Sequence, residues 1–298
     1  MKISVCIVTY NHEPFIRACL EGAVSQQLSC EYEIVIGEDC SKDNTLAICR
    51  EFEEKYPHII KLLSTPVNMG MMKNGARTAA ACTGDYIAVC EGDDFWTDPH
   101  KLQRQFDFLQ ANPDYSMIAE NGLVLNTVLN KERPFNSIPE CDLTVVDLLR
   151  KRQFPSASVL LRAEYVRDNY PSPKYAGDTF LWCYLATRGK VKYLPVISSV
   201  YRRGLQGVVL STNKVEWAKL MENWNTEISD MLPENFDRSI FKRRNYSEYM
   251  KAFVFSTGEK DRKNALLSIR KCFHYQPVRT TITLSKFLLN KLKTAEKS

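Results

Sequence analysis

The 298-residue chain contains no run approaching the roughly 18–20 consecutive apolar residues that a helix needs to cross a bilayer, so an integral helical membrane protein is excluded. The apolar stretch in MKISVCIVTYNHEP is too short for the core of a signal peptide, and a non-secreted protein is expected. The 10 cysteines are scattered with none at C-x-x-C spacing, which removes a disulfide framework. Several, including Cys6, Cys82, Cys90 and Cys183, lie inside apolar runs. That is the setting of reduced, buried thiols in a cytosolic protein. Only four histidines are present (His12, His58, His100, His274), and their dispersal argues against a histidine-based metal centre. No Walker motif, G-x-G-x-x-G or Ser/His/Asp order stands out, and Asn74-Gly75-Ala76 reads as a loop entering a helix.

What is present begins with an uneven charge. The formal net charge is +5, but residues 238–298 hold 15 Lys and Arg against 4 Asp and Glu, leaving an acidic body joined to a basic region. A basic region of this kind suits an anionic surface. Within it, TLSKFLLNKLK spaces Leu284, Leu288 and Leu292 four apart beside Phe287. This stretch fits either an amphipathic helix on an anionic leaflet or a helix packed on the domain with solvated lysines. Nucleic acid is a weaker partner, because no nucleic-acid motif accompanies the basic residues.

The first half alternates between strand and helix patterns: strands at Ile3–Val8, Tyr32–Ile36, Ile59–Leu63 and Tyr86–Cys90, helices at Phe15–Val24, Thr45–Lys55, near Asn74–Ala81 and at Pro99–Gln110. The last of these is expected to start with Asp98 as N-cap and Pro99 in its first turn. Such alternation implies an α/β fold with a mainly parallel sheet, whose ligands bind beyond the carboxyl ends of the strands. The order is harder to follow from Ser116 to Arg203, where Val159–Leu161 and Val191–Val200 suggest strands and Phe180–Ala186 a helix. After Leu210 the pattern turns mostly helical. Boundaries fall near residues 111 and 212.

Polar clusters sit at the strand ends. Thr9-Tyr10-Asn11-His12 follows the first strand and Glu38-Asp39-Cys40-Ser41 the second. Ser41, Asp43 and Asn44 make a good helix N-terminus, but that does not account for Glu38 and Asp39 at the end of a buried strand. A carboxylate there could accept a hydrogen bond from the imide N–H of uracil or thymine. After the fourth strand, YIAVCEGDDFW ends on Glu91, Asp93 and Asp94. Three acids in four residues repel one another, and a Mg²⁺ or Mn²⁺ held jointly with a diphosphate would relieve them. The E-x-D spacing places Glu91 and Asp93 on one side if the backbone is extended.

In order along the chain, SVCIVTYNHEPFI, IVIGEDCSKDNT, NMGMMKNGARTAAACTGDYIAVCEGDDFW and AGDTFLWCYLATRGKVKYLPVISSVYRR resemble the inverting glycosyltransferases of family 2, over roughly residues 1–210. EGDDFWTDPHKLQRQFDFL is similar to bacterial enzymes that build capsular or lipopolysaccharide-type glycans. The resemblance implies a GT-A nucleotide-binding fold, with a nucleotide-sugar half at 1–111, an acceptor-side half at 112–211 and a helical basic region at 212–298. It further implies that Thr9 and Asn11 lie beside the nucleoside, Asp39 reads the base, Arg77 approaches the nucleotide and Glu91 stands near the ribose. Asp93 would be the metal ligand, Asp94 would line the donor sugar site, and Asp178 would match the catalytic base.

Two departures accompany it. Glu91 stands where the family usually has Asp, and no histidine follows Tyr201-Arg202-Arg203. Arg202 or Arg203 could stabilise phosphate charge instead, or be a solvated surface arginine. The implied activity is transfer of a sugar from a nucleotide diphosphate, such as a UDP-sugar, to a hydroxyl of a glycan or lipid-linked acceptor. It would run with Mn²⁺ or Mg²⁺, in the cytoplasm or at the inner face of its membrane. A nucleotidyltransferase would need an early glycine-rich basic phosphate loop, which TYNHEPF is not. A non-catalytic glycan-binding relic has only the absent histidine in its favour.

Overall fold

The computed structural model describes residues 1–167, 171, 173–175, 177–204 and 213–295, with side chains as far as Lys286. The chain divides into two compact units, one of Met1–Ser172 with Gly177–Leu205 and one of Pro173–Ala176 with Gln206–Ser298.

The first unit is built on one sheet. Its strands are β1 (Lys2–Thr9), β2 (Glu31–Glu38), β3 (Ile60–Leu63), β4 (Tyr86–Glu91), β5 (Phe95–Trp96), β6 (Tyr115–Asn126), β7 (Lys131–Pro134), β8 (Cys141–Leu143), β9 (Val159–Arg162) and β10 (Lys190–Arg203). They lie in the order β3-β2-β1-β4-β9-β6-β10-β5, with β7 beside β6 and β8 beside β10. β1 pairs parallel with both β2 and β4, β2 with β3, and β6 with β10. β9 runs antiparallel between β4 and β6. A sheet covered on both faces needs strands that are apolar throughout, and Ile3, Val5, Ile7, Ile34, Val35 and Ile36 are buried accordingly.

The helices between strands are α1 (Glu13–Val24), α2 (Thr45–Lys55), α3 (Met71–Ala80) and α4 (Lys101–Ala111). Helix α1 buries Ile16, Cys19, Leu20 and Ala23, the i, i+3, i+4, i+7 stripe of a helix lying on a sheet. Helix α4 starts later than its sequence suggests. Asp98 accepts the His100 N–H (2.9 Å) and an Arg104 guanidinium N–H (2.7 Å), which holds Asp98-Pro99 in the approach to the helix and leaves His100 as the flanking residue.

Strand β6 is the element that periodicity conceals. Glu120 and Asn121 break its apolar run, yet both are buried. Arg104 pairs with Glu120 at 2.8 Å, and the Asn121 amide donates to the Asn136 carbonyl at 2.8 Å. Satisfied in this way, the polar pair can lie inside the sheet. Three further helices complete the unit: α5 (Val145–Arg150), α6 (Glu164–Arg167) and α7 (Asp178–Arg188).

The second unit is helical: α8 (Lys214–Met231), α9 (Ser239–Gly258), α10 (Arg262–Tyr275) and α11 (Pro277–Ala295). Asn213 caps α8 through the Val215 N–H, and Asp261 caps α10 through the Asn264 N–H. The helices pack around Val215, Ala218, Tyr246, Tyr249, Ala252 and Cys272. At the polar margin Glu222 accepts from Lys271 (2.7 Å), Tyr249 (2.5 Å) and Tyr275. Leu288 and Leu292, which carry the amphipathic pattern of the last helix, lie beyond the described side chains.

Candidate active site

The carboxyl ends of β1, β2 and β4 come level at one edge of the sheet, with Thr9 opposite Glu38 and Val8 opposite Glu91. Thr9 is buried; its carbonyl accepts the Asp39 N–H (3.1 Å), and its hydroxyl meets His12 Nδ1 (3.2 Å). Asn11 turns the chain with a positive φ of 53° and accepts the Lys42 N–H at 2.8 Å, locking the first loop onto the second. Glu38, buried, accepts the N–H groups of Cys40 (3.2 Å) and Ser41 (2.6 Å). Asp43, one turn on, accepts from Thr45 and from the Glu13 N–H.

Asp39 is buried and accepts from the Met69 and Gly70 backbone at 2.8 and 2.9 Å, one bond to each carboxylate oxygen. It ties down the loop between β3 and α3, in which Gly70 has a φ of 83°. Each carboxylate oxygen keeps a further acceptor position. Arg77 is spent mostly on the protein itself. Its guanidinium donates to the carbonyls of Glu38 (2.7 Å) and Leu63 (3.0 Å) and to the Asn74 side chain (2.9 Å). It therefore staples the ends of β2 and β3 from within α3.

The acid cluster is a turn. The Asp94 N–H returns to the Glu91 carbonyl at 3.0 Å, so Gly92 and Asp93 leave the strand and the extended E-x-D geometry does not occur. Gly92 is required there, because a Cβ at that position would stand 2.5 Å from Thr9 Oγ1 and 2.9 Å from His12 Nδ1. The Arg202 backbone N–H donates to Asp94 (2.9 Å), and the Arg202 guanidinium donates to the Asp93 carbonyl (2.7 Å). That guanidinium lies 4.3 Å from the Phe95 ring centre and 5.2 Å from that of Phe15. Arg202 thus fixes the turn from the end of β10, and burial lowers its pKa.

On the far side, Asp178 opens α7 as its first helical residue, with Gly177 at the N-cap position. Its carboxylate accepts the Ser156 hydroxyl and lies 3.7 Å from the Arg152 guanidinium, which also donates to Ser156 at 2.7 Å. Arg152 rests over the rings of Tyr201 (5.1 Å) and Phe135 (5.9 Å). Its pKa is raised: burial works against the charge, but Asp178, Glu91, Tyr201 and Asp94 outweigh it.

Asp178 and the acid turn share one electrostatic environment. Burial pushes Glu91 up to about 8, with Asp178 and Asp93 pushing the same way and Arg152 opposing. Burial, reinforced by Glu91 and Asp93, also raises Asp94 well above the ordinary carboxylate range. One Glu91 oxygen is buried without a hydrogen-bond partner. Among the described residues, no three His, Cys, Asp or Glu side chains converge into a ready metal cage. A divalent cation still fits the chemistry here. Hard carboxylate oxygens are concentrated with one left unsatisfied, and diphosphate oxygens would have to complete the coordination shell.

Residues 4–145 match the family model described as glycosyl transferase family 2. That segment is similar to a glycosyl transferase family 2 domain. The chain is 31% identical over 207 residues to an uncharacterized protein of Mycobacterium tuberculosis, covering 69% of this chain and 60% of the relative. It therefore spans about 60% of the length of that relative. It is 26% identical over 230 residues to a putative teichuronic acid biosynthesis glycosyltransferase of Bacillus subtilis, covering 74% of this chain and 85% of the relative. Among solved structures it is similar to S. aureus TarS in complex with UDP-GlcNAc (TM-score 0.66, 18% identity, 94% of this chain and 83% of that one). It is also similar to a mannosyltransferase from Pyrobaculum calidifontis in complex with GDP-Man and Mn²⁺ (TM-score 0.59, 14% identity, 96% and 84%). The fold is GT-A, and all nine predicted site residues belong to the unit that contains the matched segment. Sequence reasoning missed Arg152 and Ser156, and placed His12 in the strand-end cluster without giving it a role. KRQFPSAS carries no motif, and the contact of His12 with Gly92 of the acid turn depends on the fold.

Proposed function

We propose that the chain is an inverting glycosyltransferase that moves a sugar from a nucleotide diphosphate, of the UDP-sugar class, to a hydroxyl of a cell-surface glycan or its lipid-linked precursor. The observation that carries this reading is the meeting of two acidic centres from distant parts of the chain. The Glu91–Asp94 turn and Asp178 influence one another electrostatically, with Arg152 between them in charge.

The nucleoside would lie along Thr9, Asn11 and Asp39, whose remaining acceptor positions suit an imide N–H. Arg77 supports this pocket from behind. Glu91 would face the ribose and Asp94 the donor sugar, with Arg202 holding the turn between them. Asp93 would hold the divalent cation, which supplies Lewis-acid compensation for the charge growing on the departing diphosphate. Asp178 takes the proton of the acceptor hydroxyl as its oxygen bonds to the anomeric carbon and the bond from that carbon to the diphosphate breaks. The configuration is inverted in this single displacement. Ser156 and Arg152 hold the Asp178 carboxylate in one orientation, as a general base requires.

Incubation with a panel of nucleotide sugars tests the class. Release of UDP from a UDP-sugar supports the transferase. Release of pyrophosphate would indicate a nucleotidyltransferase, and no turnover with any donor a non-catalytic relic.

A further inference from the structure

The helical unit leaves large apolar side chains in solvent on two consecutive helices. On α10, Leu266 is 60% and Phe273 41% exposed; on α11, Val278 is 73% and Ile282 52% exposed. These positions lie opposite the stripes that α10 and α11 bury through Ser268 and Cys272 and through Thr280. Phe273 and Val278 flank the short connection at Gln276, so the two apolar stripes meet there. Exposed basic residues share the same outward sides: Arg262, Lys263 and Arg270 on α10 and Lys286 on α11, while Arg279, also exposed, rests its guanidinium 5.1 Å from the Tyr246 ring centre. Between Arg262 and Lys286 no residue is Asp or Glu, whereas six are Lys or Arg.

We propose that this face docks on an anionic phospholipid surface, with Leu266, Phe273, Val278 and Ile282 entering the headgroup boundary and the surrounding lysines and arginines meeting lipid phosphates. The one-sided charge selects that occupant. A second copy of the chain meeting it through the same face would set like charge against like, whereas an anionic leaflet complements it and its acyl boundary accepts the apolar side chains. The inference is independent of the sugar-transfer reading. It rests on α10 and the start of α11, not on the later leucines.

The experiment is cosedimentation of the full chain with vesicles of phosphatidylcholine alone or mixed with phosphatidylglycerol. Binding is expected only with phosphatidylglycerol, and raising the salt should reverse it, because screening shortens the reach of the charges. A Leu266→Glu, Val278→Glu double variant, with its helix content checked by circular dichroism, should bind about tenfold more weakly. An Arg262→Ala, Lys263→Ala, Arg270→Ala triple variant tests the charge and should lose affinity most at low salt. Equal binding by all three proteins, or binding indifferent to phosphatidylglycerol, would overturn the proposal. So would a concentration-dependent dimer abolished by Leu266→Glu, which would mark the face as a self-association surface.

Discussion

Asp178 separates a catalytic role from a structural one by a single atom. As the first residue of α7 it also favours the positive end of the helix, a contribution of about 0.3–1 kcal/mol. Neutral asparagine forfeits that small charge contribution, and it cannot take a proton. Asp178→Asn should therefore lose roughly 10²–10⁴-fold in transfer rate while unfolding near the wild-type temperature and binding UDP unchanged. Near-normal turnover would send the search for the base elsewhere. Arg152→Ala should lower kcat by about tenfold or more with a smaller change in donor KM, because the carboxylate is released from its orientation. Arg152→Lys should recover part of the loss, since an ammonium keeps the charge but not the fork of donors. Arg77→Ala has a different signature. Its removal strands the carbonyls of Glu38 and Leu63 and should cost about 2–3 kcal/mol in urea unfolding. A large loss of UDP affinity at unchanged stability would instead place its guanidinium on the nucleotide.

Among the elements, the Glu91–Asp94 turn sets how closely β4 can approach β1. Gly92→Ala would press a methyl group onto Thr9 and His12, and it should destabilise the protein by about 1–3 kcal/mol and weaken donor binding together. The opposite end of the same strands gives a pH dependence. Glu33, on β2, accepts from Lys2 (2.7 Å), the Ser4 hydroxyl (2.6 Å) and the Thr83 N–H (2.6 Å). Against the opposing effect of burial, these partners hold its pKa to about 2. The unfolded carboxyl titrates near 4.3, so this stability is complete above that pH and is lost as the pH falls toward 2, a contribution that solvent screening of the partly exposed Lys2 partner reduces. The gap in urea midpoint between wild type and Glu33→Gln should close over that range. A gap that persisted to pH 2 would contradict it. The parallel strands and helices of the first hundred residues were legible because their apolar spacing has one clear period each. β6 was not, because Glu120 and Asn121 are buried through partners that no local pattern reveals. The acids at 91–94 were legible as a cluster but not as a turn. Arg152 was hidden because its meaning comes only from the residues that the fold brings beside it.

For the molecule as a whole, the chain joins an acidic sheet unit to a basic helical one, and the acids matter most where β4 ends. The sheet gathers three carboxylates from one turn and a fourth from α7, crowded and buried enough that Glu91 and Asp94 hold their protons well above the ordinary carboxylate range. A cation arriving with a diphosphate would favour their ionised forms. Calorimetric titration of UDP into the wild-type chain and Asp93→Asn, each with and without Mn²⁺, measures this directly. The wild type should bind UDP markedly more tightly with Mn²⁺, and Asp93→Asn should lose that enhancement while remaining folded. An Mn²⁺-dependent UDP affinity unchanged in Asp93→Asn, or a wild-type affinity indifferent to the metal, would contradict the assignment.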